Sequence, residues 1–342
     1  MEPELKCFIE IWLAAVASAV YCREIAGRIP AGAARLFAVL PVAYLFVALP
    51  FRLSYLSIRG GVTFFLLVWL ANFKLLLFSF GAGSLAGNPP DSLLEFICTA
   101  LLPVKIKRCR PSQFSADLPN PLIFLFKTVA LVAIASSCYA YRESIDPNVV
   151  LFLCFCNVCL FMDLTSAAVR VALRVLLGAE LEPHFDRPHL STSLQNFWGR
   201  RWNLMVTDIL RPSVYLPVRR LLSPLIGKRL GLSAAIFATF GVSALMHELI
   251  FYYLTARSNP TWEVTQFFLV HGFCVAVEVD VKKELRGGVT FPAVLSRVMT
   301  LGFVGITGKL LFFPPLMRHG IALESMDEYR TIVRFLNWEK IE

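Results

Sequence analysis

Eight long apolar stretches constrain the fold of this chain more than any other feature of its sequence. They lie near Phe8–Tyr21, Leu36–Phe51, Val62–Phe80, Leu122–Tyr141, Val149–Val169, Gly231–Leu254, Val264–Val279 and Pro292–Phe313. A helix needs about 20 predominantly apolar residues to cross the hydrocarbon core of a bilayer. We therefore predict an all-α polytopic membrane protein with about eight transmembrane helices, within a range of about 7–10.

The composition supports a membrane location and argues against a nucleic-acid partner. Hydrophobic residues make up 57% of the chain and charged residues 17%, against roughly 45–50% and 25% in soluble globular domains. The net charge is +9, but the basic residues lie in short segments between apolar stretches, where the positive-inside rule places them. The stretch Leu93–Leu102 is too short to span, and we expect it to be interfacial or re-entrant.

Neither a linker nor an internal repeat divides the chain, so residues 1–342 are expected to form one membrane-embedded domain. The first apolar stretch lacks a positively charged flank and is predicted to be a retained span rather than a signal peptide. Cys154, Cys156 and Cys159 lie close together within one apolar stretch. They are expected to pack as small hydrophobic residues, because a metal site would need polar groups around its ligands. No metal site is predicted.

One polar segment interrupts this pattern. Residues 178–230 separate two apolar stretches and include LSTSLQNFWGRRWNLMVTDILRPSVYLPVRR at Leu190–Arg220. The segment is too polar to span and too aromatic for an ordinary solvent loop. It is predicted to be cytosolic or re-entrant.

His247 is the sharpest candidate among the ionisable residues predicted to lie within spans, which are costly and therefore suspected of function. Ser243 and Phe251 share its helix face at i−4 and i+4. Burial favours a neutral imidazole, which can act as a general base. A hydrogen bond between two helices would explain a lone histidine equally well.

Several other chemistries are excluded by single positions. His247-Glu248 begins a zinc HExxH motif, but Phe251 occupies the position of the second ligand. Gly241-Val242-Ser243 begins a nucleophile elbow that would need glycine where Leu245 stands. One base within the membrane and a basic aromatic segment suit acyl transfer from an anionic thioester such as acyl-CoA to a hydroxyl.

The segment Phe197-Trp198-Gly199-Arg200-Arg201-Trp202-Asn203 resembles the F-Y-x-D-W-W-N motif of the membrane-bound O-acyltransferase superfamily. It is closer to the plant wax synthase branch, where S-L-Q-[DN]-F-W-G-R-R-W-N-L-M-V is nearly a signature. The flanks are similar too: Glu182–Asp186, Ile209–Pro212, Met246–Glu248, Trp69–Phe78 and Asp327–Tyr329.

This resemblance implies a long-chain-alcohol O-fatty-acyltransferase of the endoplasmic reticulum membrane, with a catalytic tunnel enclosed by its helices. It implies that His247 is the catalytic histidine and Asn203 the superfamily asparagine, which would position the thioester. The substrate-binding candidates, for acyl-CoA and the tunnel, are Trp198, Arg200, Arg201, Trp202, Ser243 and Phe251. Arg200 and Arg201 replace the acid and first tryptophan of the wider superfamily motif, so roles assigned to those positions cannot be carried over. For Trp198 and Trp202, interfacial anchoring is as good an explanation as donor contact.

The expected partners are acyl-CoA, a long-chain fatty alcohol or a sterol, and membrane lipids; no cofactor and no protein partner are predicted. Sterol esterification is the main alternative, because sterol acyltransferases of this branch share the central motif. A transporter or channel that uses His247, Asp163 and Lys74 as a polar pathway is a weaker alternative. It would require polar residues to recur along several spans or an inverted repeat, and neither is visible in the sequence.

Overall fold

The structure is a computed structural model of the whole chain. It describes residues 3–53, 58–86, 92–107, 120–140, 144–178, 180–255, 258–285 and 291–319. The motif Asp327–Tyr329, which contributed to the family resemblance, lies outside the described residues.

Helices dominate the described part of the chain. The α-helices are α1 (Pro3–Glu24), α2 (Ala33–Ala48), α3 (Ile58–Phe64), α4 (Asn72–Ser79), α5 (Leu93–Leu101), α6 (Pro121–Ala140), α7 (Pro147–Leu177), α8 (Leu194–Arg200), α9 (Leu204–Leu210), α10 (Leu216–Ile226), α11 (Lys228–Leu254), α12 (Glu263–Glu284), α13 (Ala293–Thr307) and α14 (Pro314–Arg318). Three π-helical segments, Phe65–Ala71, Arg211–Tyr215 and Gly308–Phe312, continue helices without a break. Short 3-10 helices occupy Ala26–Arg28, Leu49–Arg52 and Pro188–Leu190.

A pair of two-residue strands is the exception to the all-helical pattern. Strand β1 (Ile106–Lys107) pairs antiparallel with β2 (Glu180–Leu181). The pair ties the segment after α5 to the segment after α7, at the start of the polar region 178–230.

Eight of the described helical stretches are long and apolar enough to cross a membrane: Pro3–Arg28, Ala33–Arg52, Gly60–Ser79, Pro121–Cys138, Phe152–Leu177, Lys228–Leu254, Glu263–Glu284 and Ala293–Phe312. Each corresponds to one of the eight predicted apolar stretches, so the prediction of a polytopic helical membrane protein is confirmed. The stretch predicted to be too short forms the nine-residue helix α5. Its start is encoded locally, because the Ser92 side chain accepts a hydrogen bond from the Glu95 backbone N–H at 3.1 Å.

The largest hydrophobic cluster joins the N-terminal helices. Ile11 and Ala15 of α1, Val39 and Phe46 of α2 and Leu75 of α4 are all nearly or completely buried in it. Small residues on α1 allow its neighbours to approach closely, which is how helices associate where no water is present to drive them together.

A second group of helices surrounds the polar segment. Helices α11 and α12 pack along each other, and Gly272 of α12 lies so close to the Phe240 side chain that an added Cβ would meet it at 2.7 Å. Helix α10 packs beside the start of α11 in the same manner, with Gly231 against the backbone of Ser223. These close contacts fix the positions of the elements that carry the candidate site.

Helices α6 and α7 form a hairpin joined by an ion pair. Lys127 Nζ lies 2.6 Å from Asp163 Oδ2. Asp163, which lies within a predicted span, thus has Lys127 of the facing helix as its partner. Two opposite charges on facing helices each lower the cost of placing the other in an apolar setting.

Candidate active site

His247 lies on α11 with its ring turned toward other helices. Its Nδ1 atom is 2.7 Å from the backbone oxygen of Ser243, one turn earlier. A carbonyl oxygen only accepts, so Nδ1 carries the proton and donates to it. In the neutral ring Nε2 then has the free lone pair, and it has no hydrogen-bond partner among the described residues. This arrangement leaves a base with its basic atom available.

Aromatic side chains from three other elements surround the His247 ring. The ring centroids of Trp69, Phe268 and Phe312 lie 5.2, 4.3 and 6.0 Å from that of His247. Trp69 belongs to the first π-helical segment, Phe268 to α12 and Phe312 to the last π-helical segment. The imidazole therefore faces the interior of the helix bundle rather than its outside.

Glu248 has a different task from its neighbour. Its carboxylate accepts from the backbone N–H of Trp262 at 3.3 Å and from the N–H and hydroxyl of Thr265 at 3.3 and 2.9 Å. The first N–H groups of a helix have no partner within the helix. Glu248 supplies acceptors for these N–H groups at the start of α12. Of the two neighbouring residues, His247 is therefore the candidate base and Glu248 caps a helix.

Trp198 connects the polar segment to α12 through His271. The indole N–H of Trp198 donates to His271 Nδ1 at 3.0 Å, and His271 Nε2 donates to Thr307 Oγ1 at 2.9 Å. His271 is completely buried, and both of its nitrogens are used. The ring of Trp198 also packs against Phe267 and Phe268. Trp198 thus joins α8 to α12, and His271 extends this connection to Thr307 at the end of α13.

No sequence motif marks His271 as part of this region. It is one of several polar residues within the predicted spans, and its neighbours in the sequence carry no motif. Its partner Trp198 lies 73 positions away. Only the packing of α8 on α12 brings the two rings together.

Helix α8 is held at its N-terminus by Glu278 of α12. The Glu278 carboxylate accepts from the backbone N–H groups of Leu194 and Gln195 at 2.9 and 3.4 Å. Ser193 adds a local cap by accepting from the Asn196 N–H at 3.1 Å. A carboxylate at this end also interacts favourably with the helix dipole. The motif is therefore anchored on α12 at two places.

Arg201 anchors the other end of the motif. Its guanidinium donates to the Asn196 side chain at 2.8 Å and to the backbone oxygen of Asp186 at 3.0 Å. The Asp186 N–H in turn donates to the Arg201 carbonyl at 2.9 Å. Trp202 stacks on Phe197 with centroids 5.3 Å apart. Arg201 and Trp202 thus hold the motif against the flanking segment that shares its family resemblance.

Asn203 begins helix α9 in the left-handed conformation, with φ of 44°. Asparagine tolerates this region better than most residues do. Its side-chain oxygen accepts from the Val206 N–H at 3.4 Å and caps the helix. The amide NH₂ has no described partner and can still donate a hydrogen bond.

A hydrophobic cluster places α9 beside the element that carries Trp69. Met205 and Ile209 of α9 pack with Leu66 and Leu70 of the first π-helical segment. That segment contacts His247 through Trp69. The structure thus brings the helix begun by Asn203 and the helix carrying His247 against the same intermediate element, although the two residues are far apart in sequence.

The remaining predicted site residues have distinct environments. Ser243 is buried and contributes its carbonyl to His247. Phe251 packs against Phe312 with centroids 5.3 Å apart. Arg200 is exposed at the end of α8 and has no ion-pair partner among the described residues. Of the two motif arginines, Arg200 is therefore the one free to meet an anion.

Charged residues outside the spans stabilise the polar segment. Lys105 lies 2.7 Å from Asp208 of α9 and 2.9 Å from Glu182. Burial alone would lower the pKa of Lys105, but these two hydrogen-bonded carboxylates raise it above its usual value. Burial lowers the pKa of His184, although its hydrogen bond with the Pro103 carbonyl opposes that shift. His184 is therefore neutral at neutral pH.

Lys74 forms hydrogen bonds that hold two elements of the fold together. It is buried, and its ammonium donates to the carbonyl oxygens of Thr99 and Leu102, both at 2.6 Å. These carbonyls lie at the end of α5, where a positive charge is favourable. Asp280 accepts from Ser233 at 3.1 Å and pairs with Arg229 at 3.6 Å. Neither residue forms part of a continuous polar pathway with His247 in the described structure.

Metal ligands do not gather in the part of the chain that the structure describes: no three His, Cys, Asp or Glu side chains are grouped there. Two of the nine cysteines, Cys138 and Cys154, pack together between α6 and α7 in a small hydrophobic cluster.

A family model matches the part of the chain that carries the candidate site. Residues 181–270 match the family model described as the membrane bound O-acyl transferase family. These residues include the polar segment with Trp198 and Asn203, helix α11 with His247, and the first part of α12.

Full-length relatives extend the match to nearly the whole chain. The chain is 46% identical to a long-chain-alcohol O-fatty-acyltransferase of Simmondsia chinensis, over 98% of this chain and 96% of that protein. It is 42% identical to an acyl-CoA–sterol O-acyltransferase of Arabidopsis thaliana, over 96% and 95%. A probable long-chain-alcohol O-fatty-acyltransferase of the same plant is also 42% identical, over 98% and 97%. The chain therefore belongs to the membrane-bound O-acyltransferase family, in its long-chain-alcohol O-fatty-acyltransferase (wax synthase) branch.

Proposed function

We propose that this enzyme transfers the acyl group of acyl-CoA to a long-chain fatty alcohol and so makes wax esters in the endoplasmic reticulum membrane. The observation that supports the chemistry is the state of His247. Its Nδ1–H donates to the Ser243 carbonyl, so the lone pair of Nε2 is available to accept a proton among the surrounding aromatic rings. Acyl-CoA is a substrate in this proposal, and no further cofactor is needed because the thioester is already activated.

In the proposed reaction, His247 Nε2 takes the proton of the alcohol hydroxyl while the alcohol oxygen attacks the thioester carbon. The new C–O bond forms, and the electron pair of the carbonyl moves onto its oxygen. The C–S bond then breaks as the carbonyl re-forms. The CoA thiolate leaves and takes the proton from the His247 imidazolium, which restores the neutral base.

Two residues of the motif have proposed roles in this step. The free amide NH₂ of Asn203 donates to the thioester, while its side-chain oxygen keeps the start of α9 in place. Arg200 binds the phosphates of CoA at the mouth of the site, because a guanidinium pairs well with phosphate oxygens. The Ser243 carbonyl orients the His247 ring. Phe251 and Phe312 form an apolar wall for the acyl chain or the alcohol.

A sterol is the alternative acceptor. One relative named for sterol acylation is 42% identical over nearly the whole chain, which is close to the 46% of the relative named for long-chain alcohols. A flat ring system and a linear alcohol require differently shaped space beside His247. The higher identity and the additional alcohol-specific names favour the alcohol.

The test uses microsomes that contain the protein, labelled acyl-CoA and either hexadecanol or a plant sterol. We expect the wild type to form the wax ester faster than the sterol ester and His247→Ala to form neither. His189→Ala is the matched control, since His189 is exposed on the short 3-10 helix before the motif. Undiminished ester formation by His247→Ala would remove the proposed base.

Asn203 is tested with a variant that separates its two functions. Asn203→Asp keeps the side-chain oxygen that caps α9 but replaces the NH₂ donor with a second oxygen. We expect a folded protein with strongly reduced kcat. Equal activity of Asn203→Asp and wild type would assign the asparagine to the cap alone. In the comparison of hexadecanol with a plant sterol, faster esterification of the sterol by the wild type would keep the proposed mechanism and change only the proposed acceptor.

A further inference from the structure

Trp69 carries a hydrogen-bond donor that has no acceptor among the described residues. The side chain is 2% exposed, and its indole Nε1 is fully buried without a hydrogen-bond partner in the described structure. Leaving a buried donor unpaired costs about 1–3 kcal/mol. Such groups are rare in folded proteins and call for a specific explanation, for example a role in catalysis or in ligand binding.

The position of this donor suggests what it serves. The Trp69 ring meets the His247 ring at 5.2 Å between centroids and at an interplanar angle of 74°. Trp69 also packs edge-on against Phe65 at 5.2 Å, which restricts its rotation. The donor therefore belongs to a ring that packs against the base, and it has no acceptor among the described residues. It is available to a group of the substrate that reacts at that base.

The backbone around Trp69 differs from a regular helix. Residues Phe65–Ala71 are π-helical between α3 and α4. A π-helical turn inserts one extra residue and rotates the side chains that follow, and such turns occur frequently at functional sites. This local distortion brings Trp69 to the face that meets α11.

A second unpaired atom lies three residues further along the same span, on the first residue of α4. The Asn72 side chain donates to the Val68 carbonyl at 3.1 Å, but its own oxygen is buried without a partner among the described residues. Within three residues this span therefore carries a buried donor and a buried acceptor that the described structure leaves unpaired.

We propose that Trp69 is a catalytic residue whose indole N–H donates a hydrogen bond to the oxygen of the thioester carbonyl. The proposal rests on the acyl-transfer function proposed above. As the alcohol oxygen attacks and His247 takes its proton, the carbonyl electron pair moves to this oxygen, and the N–H stabilises the developing negative charge. When the C–S bond breaks, the charge leaves with the thiolate. Trp69 gives up no proton at any stage.

The N–H differs from the Asn203 amide in its surroundings. Asn203 is half-buried at a helix start, whereas Trp69 is buried beside apolar rings. A fixed donor is worth more where water is excluded. The two donors together would hold the oxygen from two elements that pack against each other through Leu70 and Met205.

The experiment removes the N–H and keeps the ring. Trp69→Phe removes it, and replacement of Trp69 by β-(3-benzothienyl)alanine through nonsense suppression exchanges N–H for sulfur with almost no change of shape. We expect kcat for wax-ester formation to fall about 100-fold in both, with KM for acyl-CoA unchanged. Affinity for an alkyl-CoA thioether, which has no carbonyl, should also stay at the wild-type value.

Trp12→Phe is the matched control. Trp12 also has a buried indole N–H without a partner among the described residues. It packs against the cluster that contains Leu70 and Met205, but its described ring contact is with Phe8 and not with His247. We expect its kcat to equal that of the wild type. A benzothienyl variant with wild-type kcat would overturn the proposal, and so would equal losses in the Trp69 and Trp12 variants.

The readouts also separate this proposal from the function on which it rests. If the wild type esterifies neither a fatty alcohol nor a sterol, the proposed function fails. If the wild type is active and the benzothienyl variant matches it, only the role of Trp69 fails. A loss of thioether binding together with kcat would identify Trp69 as a packing residue instead.

Discussion

Glu248 offers a direct test of how the neighbouring residues His247 and Glu248 divide their functions. The Glu248 carboxylate accepts hydrogen bonds from two backbone N–H groups and one hydroxyl at the start of α12. Glu248→Ala leaves both N–H groups without their acceptor, at a place where the Glu248 side chain is buried and Trp262 is half-exposed. At about 1–3 kcal/mol for each unsatisfied group, with partial rescue by water, we expect a loss of about 2–4 kcal/mol.

The loss can be measured as a shift in thermal unfolding in mild detergent. A shift of roughly 2 °C per kcal/mol places the unfolding midpoint of Glu248→Ala about 4–8 °C below that of the wild type. Glu248→Gln keeps one acceptor oxygen and should lose about half as much. Glu24→Gln is the control, because Glu24 is about half exposed and its ion pairs with Arg23 and Arg28 lie near the surface.

Activity gives the second half of the test. Because Glu248 acts through the position of α12, kcat measured well below the unfolding midpoint should fall only modestly in Glu248→Gln. An unchanged midpoint combined with a kcat as low as that of His247→Ala would refute the reasoning. Glu248 would then belong to the chemistry rather than to the cap.

Three further predictions concern packing and pH. His271→Phe should destabilise the protein by about 1–3 kcal/mol, seen in the same unfolding assay, because it leaves the Trp198 N–H unpaired in the core; a stability equal to wild type would show that this bond contributes nothing. Gly231→Val should reduce folded yield, since a Cβ there would meet the Ser223 backbone at 2.7 Å, and normal yield with normal melting would contradict the close approach. The pKa of His184 is lowered by folding, so its contribution to stability is present above the ordinary histidine pKa of about 6.5 and is lost as the pH falls below that value. His184→Asn should therefore reduce the loss of stability at acid pH. Identical profiles of stability against pH for His184→Asn and the wild type would exclude His184 as the cause.

The amino-acid sequence by itself determined the class of the protein and the chemistry to be sought. Apolar runs long enough to span a bilayer are a local property, so all eight candidate spans could be read directly. The same holds for the short helix α5, whose length and Ser92 cap are encoded within a few residues. The motif ending at Asn203 identified the family, and His247 within the following span identified the candidate base, without any knowledge of packing.

Only the tertiary structure decided which partner each polar residue has. Trp198 could be expected either at the interface or near the donor, yet its indole N–H bonds to His271 on another helix. Lys127 pairs with Asp163 on the facing helix. Each contact depends on how whole helices are placed, and a periodic sequence does not specify that placement.

The surroundings of the base show the same limit most clearly. Trp69 and His247 belong to different spans, and their contact arises because a π-helical segment and α11 pack face to face. An apolar run indicates that a residue is buried but not whether its polar atom finds a partner. Neither the His247 lone pair nor the Trp69 N–H has a partner among the described residues. This is a property of the assembled bundle, because it depends on which groups from distant parts of the chain lie within hydrogen-bonding distance.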